Sequence, residues 1–474
     1  MESHVLNTIK SIVGEKNFLN SAEDKLVYSY DGTPLITYPP QAIVLPQDTE
    51  QISQIVTLAN EENFALIPRG SGTGLSGGSI PVENGVVLLM NRWNKIIEVD
   101  KDNLTAWVEP GVITAQLHSA VESCGLFYPP DPGSQDICTI GGNVAENAGG
   151  LRGLKYGVTK NYVMGIEMVL PTGEVITNGG KNVKDVAGYN LRDLIVGSEG
   201  TLGIFTKILV KLLPKPEISK TLLVYYDSLR HAAETVSEII ANHIIPCTVE
   251  FLDRTTIKCV EDFAHIGLPD SIEAMLLLEV DGYKEAVKRE AEIIEHICKK
   301  NQATQVRIAA NEEEALKLKT ARRSAFSALA RVRPTTILED ATVPRSNLAL
   351  LIERINFIAR KYNLQIGNFG HAGDGNLHPT CLTDERDMDE IQRVEKAFDE
   401  IYDETLQLGG TITGEHGVGL AKRQFLEKMI TVPALDAMRK IKKALDPNGI
   451  LNPGKIFSLS PKCEGKLPQN MQKD

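Results

Sequence analysis

An α+β protein of two or three domains is what the sequence predicts, on three observations. The 474 residues exceed one ordinary domain. Thirty-nine glycines in a chain that is 42% apolar suit a compact, loop-rich mixture of strands and helices better than a helical bundle. After "KLLPKP" (residues 211–216), short strands broken by glycine give way to helices alternating with strands.

Within the first 215 residues, "QAIVLPQ", "FALIPRG", "GVVLLMN" and "TAWVEPG" read as strands, and "MVLPTGEVIT" as a hairpin turning at Thr172-Gly173. Between the first two lies a helix. Asp48 is its expected N-cap with Gln51 three residues on, and Ile52, Ile55, Val56 and Ala59 form its apolar face. Residues 216–415 read as a second domain, an open sheet covered by helices. Its helices include "SLRHAAETVSEIIANH" and "YKEAVKREAEIIEHICKK", and its strands "CTVEFLD", "EAMLLLEVDG" and "LQIGNFGH". A further helix follows Ser346 and a long one runs near 387–408. Residues 416–457 are expected to return to the first domain, and the polar stretch 458–474 to be disordered.

Composition excludes several function classes. Fifty basic against 62 acidic residues give a formal charge of −12 without a clustered basic tract, which argues against nucleic acid as partner. No apolar run is long enough to span a bilayer, and "MESHVLNTIKSIVGEKNF" lacks the pattern of a signal peptide. Seven scattered cysteines (Cys124, Cys138, Cys247, Cys259, Cys298, Cys381 and Cys463), never spaced CxxC, predict reduced thiols in a cytoplasmic protein and no iron–sulfur motif.

"PRGSGTGLSGG" (residues 68–78) carries Gly72-x-Gly74-x-x-Gly77 after a strand, with Glu98 and Asp100 about twenty residues on, the pattern of a dinucleotide fingerprint. The mechanism of that fingerprint needs a helix to start at the glycines. "SIPVENGVVLL" follows instead, with Pro81 and Asn84-Gly85, so the nicotinamide reading is rejected. What remains is either a surface turn or an anion-binding nest to which Ser71, Thr73 and Ser76 add donors. Two further glycine loops favour the nest: "DPGSQDICTIGGNVAENAGGLRGLKYG" (131–157), with Ser134, Thr139 and paired glycines at 141–142 and 149–150, and "GSEGTLGIFT" (197–206). Three such loops suggest a long phosphate-bearing ligand approached closely by backbone.

Together, "PRGSGTGLSGG", "IGGNVAENAGG", "GYNLRDLIVGSEGTLGI", "GHAGDGNLHP", "GEHGVG" and "LDPNGILNPGK" closely resemble the FAD-linked oxidases of the vanillyl-alcohol-oxidase (PCMH) type. The nearest branch is that of D-lactate and glycolate dehydrogenases, which includes the glycolate oxidase flavin subunit. The resemblance spans roughly residues 20–457. It implies a PCMH-type FAD domain of two α/β subdomains (1–215, completed by 416–457) and an α+β cap domain with an antiparallel sheet (216–415). FAD contacts are implied for Pro68, Gly70, Ser71, Gly72, Thr73, Gly74 and Gly77 in the first loop. The second loop would give Pro132, Ser134, Thr139, Gly142, Asn147, Gly149, Gly150, Tyr156 and Gly157, and later segments Glu199, Gly200, Gly203, Ile204 and Asn452. Some relatives attach FAD through a histidine in the first loop. None occurs in residues 68–78, so non-covalent FAD is expected.

"NFGHAGDGNLHPT" (368–380) holds His371 and His378 around a glycine turn, and "TITGEHGVG" places Glu415 beside His416. Two imidazoles and one carboxylate make a three-ligand site with an open position, suited to a divalent metal. A hydrogen-bonded loop cluster is the alternative. If the Glu415 segment is extended, neighbouring side chains point apart, so that Glu415 faces a metal and His416 the substrate. The resemblance implies His371, His378 and Glu415 as metal ligands and His416 as catalytic base. Zn²⁺ is the first expectation, with Mn²⁺ and Fe²⁺ equally compatible with the donor set. In "TARRSAFSALARVRP", Arg322 resembles the family's substrate-carboxylate arginine, whereas Arg323 reads as a solvated helix face and Arg331 and Arg333 stay open between the two. Asn376 is a candidate for orienting substrate or a ligand, and Asp374 shapes the turn. Phe326, Leu338 and Thr380 stand where relatives handling longer dicarboxylates carry more polar residues, implying a small apolar distal pocket.

The expected function is oxidation of a small D-2-hydroxy acid, D-lactate first and glycolate next, by FAD and a divalent metal. Electrons would leave through a separate partner, an electron-transferring flavoprotein or an iron–sulfur subunit. Two alternatives are a flavoenzyme of the alkyl-glycerone-phosphate synthase type and an FAD-binding subunit whose cap serves only assembly.

Overall fold

A computed structural model describes residues 1–269 and 271–457. The expected disordered tail, 458–474, lies outside them. The first domain holds two sheets. In the first, Phe18–Leu19, Ala42–Val44, Gly85–Leu89 and Ala65–Arg69 lie side by side, the last three parallel. The helix Thr49–Glu62 crosses between two of these strands, as parallel pairing requires. Asp48 caps it by accepting from Gln51 N at 2.9 Å, and its buried face is Ile52, Ile55, Val56 and Ala59, as its periodicity predicts.

The second sheet is antiparallel, in the order Ile96–Asp100, Thr105–Val108, Ile204–Lys211, Val163–Val169 and Val175–Gly179. Its last pair is the predicted hairpin about Gly173. Leu451 bridges to Leu66, and Asn452 N donates to Leu66 O, which brings the C-terminal segment back onto the first sheet.

An eight-stranded antiparallel sheet occupies residues 218–383. Strand alternation splits its side chains between two cores. Val249, Phe251, Leu276 and Leu278 pack with helices Leu229–Ala241, Lys284–Lys300 and Leu348–Lys361. Leu252, Leu277, Phe369 and Leu382 pack on the other face with helices Arg254–Ala264 and Glu312–Arg323 and with Leu75 of the first glycine loop. That second face looks toward the first domain. Among the described residues, no helix is long and apolar enough to cross a membrane, and the six described cysteines are free thiols.

Candidate active site

The spacing of His371 and His378 is explained by a hairpin rather than by a pliable loop. His371 closes the strand Gln365–His371 and His378 is the third residue of Asn376–Thr383. The four residues 372–375 make the turn, so His371 pairs with Asn376 and His378 with Phe369. Side chains two apart on a strand share a face, which sets the two imidazoles diagonally across the pair with ring centroids 5.2 Å apart.

Glu415 reaches them from a turn. Its Oε1 lies 3.1 Å from His371 Nε2 and 3.2 Å from His378 Nε2. One ligand atom from each of the three residues falls within 4.8 Å of the others, the spacing of a shared cation. Residues 413–417 are not an extended strand, so Glu415 and His416 do not point to opposite sides: both line the same cavity. The Asp340 carboxylate fixes this turn. Its Oδ2 accepts from Thr413 Oγ1 at 2.7 Å, Gly414 N at 2.8 Å, and Glu415 N and His416 N at 3.0 Å each. His416 stacks on His378 with centroids 5.0 Å apart and planes 11° apart.

The electrostatics fit a cation. Burial opposes charge on His371, but Glu250 and Glu415 outweigh it and hold the imidazole well above its ordinary range. Burial likewise opposes the Glu415 carboxylate, and His371 and His378 outweigh it and hold it well below its ordinary range. Such a set binds a positive charge tightly, and a divalent ion can take the place of protons there. His371 Nδ1 sits 2.6 Å from Glu250 Oε1, which leaves Nε2 directed at Glu415, the outer carboxylate arrangement typical of ligating histidines. Asp340, His378 and His416 form an overlapping triad. Its Oδ2 is already taken by four donors and its Oδ1 accepts from Asn376, so Asp340 has little left for an ion. Burial pushes His416 down to about 4, with Asp340 opposing. The imidazole is therefore neutral at physiological pH.

Beside the triad opens a cavity of about 670 Å³, the size range of a cofactor-scale ligand. The three glycine loops and the histidine face line it together. Of the sequence candidates, Pro68, Gly70, Ser71, Gly72, Thr73, Gly74, Pro132, Ser134, Thr139, Gly142, Gly149, Glu199, Gly200, Gly203 and Ile204 lie on its wall, with Arg322, His371, His378, Glu415 and His416. A methyl added at Gly74 would meet no protein atom within 4 Å, so glycine there leaves room rather than avoiding a clash. Among the described residues, the amides of Gly72–Leu75 donate to no backbone carbonyl. They are a cradle suited to the phosphates of FAD.

Other candidates stand off the wall. Gly77 packs toward Leu420, and Gly157 lies against Asn161. Gly150, at φ +132°, lets the chain pass Asp131 O, where a Cβ would sit at 2.5 Å. Asn147 ends the helix Ile140–Glu146 in a left-handed conformation. The Tyr156 hydroxyl donates to Asp281 Oδ2 at 2.8 Å. Asn452 donates to Gly78 O and Glu199 O, tying two loops together. Asn376 also stands behind the wall, donating to Asp340 and to Thr342 Oγ1.

Arg322 is 4% exposed, ion-paired with Glu250 and stacked over Phe369 at 4.9 Å, with its Nε unpartnered. Arg323 corrects the solvated-face reading: it lines the cavity and pairs with buried Asp131 at 3.0 Å. Arg333 pairs with Glu390 and Arg331 stacks on Phe263, each away from the site. Phe326 and Leu338 lie on the wall, whereas Thr380 is buried behind it. Glu250 and Asp340 were missed. The available signal was a carboxylate inside an otherwise apolar strand, as in "TVEFL".

Similarity to known proteins gives the family. The family description "FAD linked oxidases, C-terminal domain" matches residues 215–456, and "FAD binding domain" matches 40–179. The chain belongs to the FAD-linked oxidases. This FAD-linked oxidase is 58% identical to a protein named glycolate oxidase subunit GlcD from Bacillus subtilis (strain 168), over 94% of this chain and 95% of that one. It is 35% identical to a D-lactate dehydrogenase from Anaerostipes hadrus, over 88% and 89% of the two chains. A solved p-cresol methylhydroxylase with substrate bound shares its fold at a TM-score of 0.81, with 20% identity and 96% of each chain covered.

One wall glycine gives this oxidase a direct test of the triad. A Cβ at Gly149 would sit 2.6 Å from Glu415 Oε2 and 3.2 Å from Glu415 Cβ. Displacing a packed group costs about 1–3 kcal/mol. Gly149→Ala is therefore expected to weaken uptake of a divalent cation about ten-fold or more, measured by metal titration of chelator-treated protein.

Proposed function

We propose that this FAD-linked oxidase oxidises a small D-2-hydroxy acid to the 2-oxo acid, D-lactate first and glycolate next, with non-covalent FAD and a divalent metal. Residues 1–215 and 416–457 would hold the flavin, and 216–415 would supply the substrate side. The observation that carries this reading is the meeting of His371, His378 and Glu415 beside His416 and Arg322 on the wall of one glycine-lined cavity. When bound, the cation supplies Lewis-acid polarisation of the substrate hydroxyl and FAD supplies the hydride acceptor.

The chain's own residues do the rest. Arg322, on the cavity wall, grips the substrate carboxylate. His416, held neutral by burial, accepts the hydroxyl proton through its imidazole. Phe326, Leu338 and Phe369 leave an apolar surround for a short tail. Relatives named as subunits favour a separate electron-acceptor protein.

Anaerobic D-lactate is expected to bleach the bound flavin, and chelation to stop bleaching without releasing it. Preferred bleaching by 2-hydroxyglutarate would overturn the substrate assignment. Protein that binds flavin but no stoichiometric cation would instead favour the assembly-only subunit. His416→Gln is expected to slow bleaching by about 10²–10⁴-fold, the usual worth of a general base, while cation and flavin contents stay at wild-type levels.

A further inference from the structure

Glu250 is fully buried in the strand Thr248–Asp253, between Val249 and Phe251 of the apolar core. It is not on the wall of the site cavity, yet both of its oxygens are engaged. The sheet register sets it directly opposite His371, and Oε1 lies 2.6 Å from His371 Nδ1. Oε2 pairs with the Arg322 guanidinium, delivered from the last turn of the helix Glu312–Arg323. A carboxylate at this depth is tolerated only when it is paired on both sides.

We propose that Glu250 is a shared positioning residue that couples cation binding to recognition of the substrate carboxylate. The inference rests on the metal and hydroxy-acid reading above. By accepting His371 Nδ1–H, Glu250 fixes the tautomer that presents an Nε2 lone pair to the cation. By holding one edge of the Arg322 guanidinium, it leaves the remaining donors for the substrate. Cation and substrate therefore meet one rigid unit, and neither touches Glu250.

Glu250→Gln tests this because the amide preserves volume and cannot serve both partners. With its oxygen on His371, its NH₂ confronts Arg322. With its oxygen on Arg322, its NH₂ drives a proton onto His371 Nε2, the ligating atom. The measurements are Zn²⁺ and Mn²⁺ titration of chelator-treated protein, and D-lactate kinetics at saturating metal, on flavin-loaded protein. Expected are a roughly 10–100-fold weaker cation affinity and about a ten-fold or larger rise in KM. kcat should fall less, since a carboxylate grip acts alike on ground and transition states.

Loss of only one affinity, or of neither while wild-type protein binds its cation, would overturn the shared-anchor role and leave the metal reading intact. Wild-type protein that takes up no cation would overturn that reading, and this inference with it. Should Glu250→Gln fail to retain flavin, Glu250→Asp carries the test. Its carboxylate is one methylene short of spanning both partners, and wild-type values for both affinities would overturn the proposal.

Discussion

Glu415→Ala is expected to strip the divalent cation from this oxidase and to lower kcat/KM for the hydroxy acid by about 10³-fold or more, while flavin remains bound. The size follows from what the carboxylate does. It is the only anionic member of the His371, His378 and Glu415 triad, and its Oε1 is the point on which both Nε2 atoms converge. Two neutral imidazoles alone hold a divalent ion poorly, and the polarisation such an ion supplies is worth several kcal/mol, or about three decades in rate. Flavin should stay because the three glycine loops proposed to cradle it are other segments of the cavity wall. Metal analysis and the flavin absorbance of the purified variant check the two halves separately. A variant that keeps its cation, or that loses flavin together with it, would contradict the assignment.

Much of this site was legible in the sequence because its motifs are local. The glycine fingerprint at residues 72–77 could be rejected as a Rossmann turn from the proline and Asn-Gly that follow, and the structure continues into the strand Gly85–Leu89 with no helix between. The acidic pair that completes the false pattern is engaged elsewhere, Glu98 and Asp100 both pairing with Lys181. Register made the rest illegible. Nothing in the sequence sets Glu250 across from His371, because that pairing joins strands more than a hundred residues apart. The same holds for Asn376 and Tyr156, whose amide nitrogen and hydroxyl donate to Asp340 and Asp281. Reading Glu415 and His416 as strand neighbours failed for a related reason: a distant carboxylate imposes the turn.

That carboxylate sets the second large expectation. Asp340→Ala should destabilise the protein by about 3–5 kcal/mol, the usual result of deleting one partner from a buried charged network. It should also abolish cation uptake. Asp340 is fully buried, and its loss would leave the amides of Gly414 and Glu415 and the Thr413 hydroxyl without their acceptor, whereas His416 N keeps Thr413 Oγ1 and Asn376 keeps Thr342 Oγ1. Each buried group so orphaned costs about 1–3 kcal/mol unless the turn opens to water. Opening relieves that cost and carries Glu415 and His416 out of register with His371 and His378. Burial works against the Asp340 charge, yet His416, Lys422 and His378 outweigh it and hold the carboxyl well below its ordinary range, so charge as well as shape is lost. Asp340→Asn separates the two: it keeps an acceptor for the amides and removes the charge facing Lys422. It should recover part of the stability in denaturant titrations while cation affinity stays low. Wild-type stability and cation uptake in Asp340→Ala would show that the turn holds its shape through Thr413 Oγ1, which accepts from His416 N and Gly417 N, and through Glu199, which accepts from Val418 N and Gly419 N at 2.7 Å each.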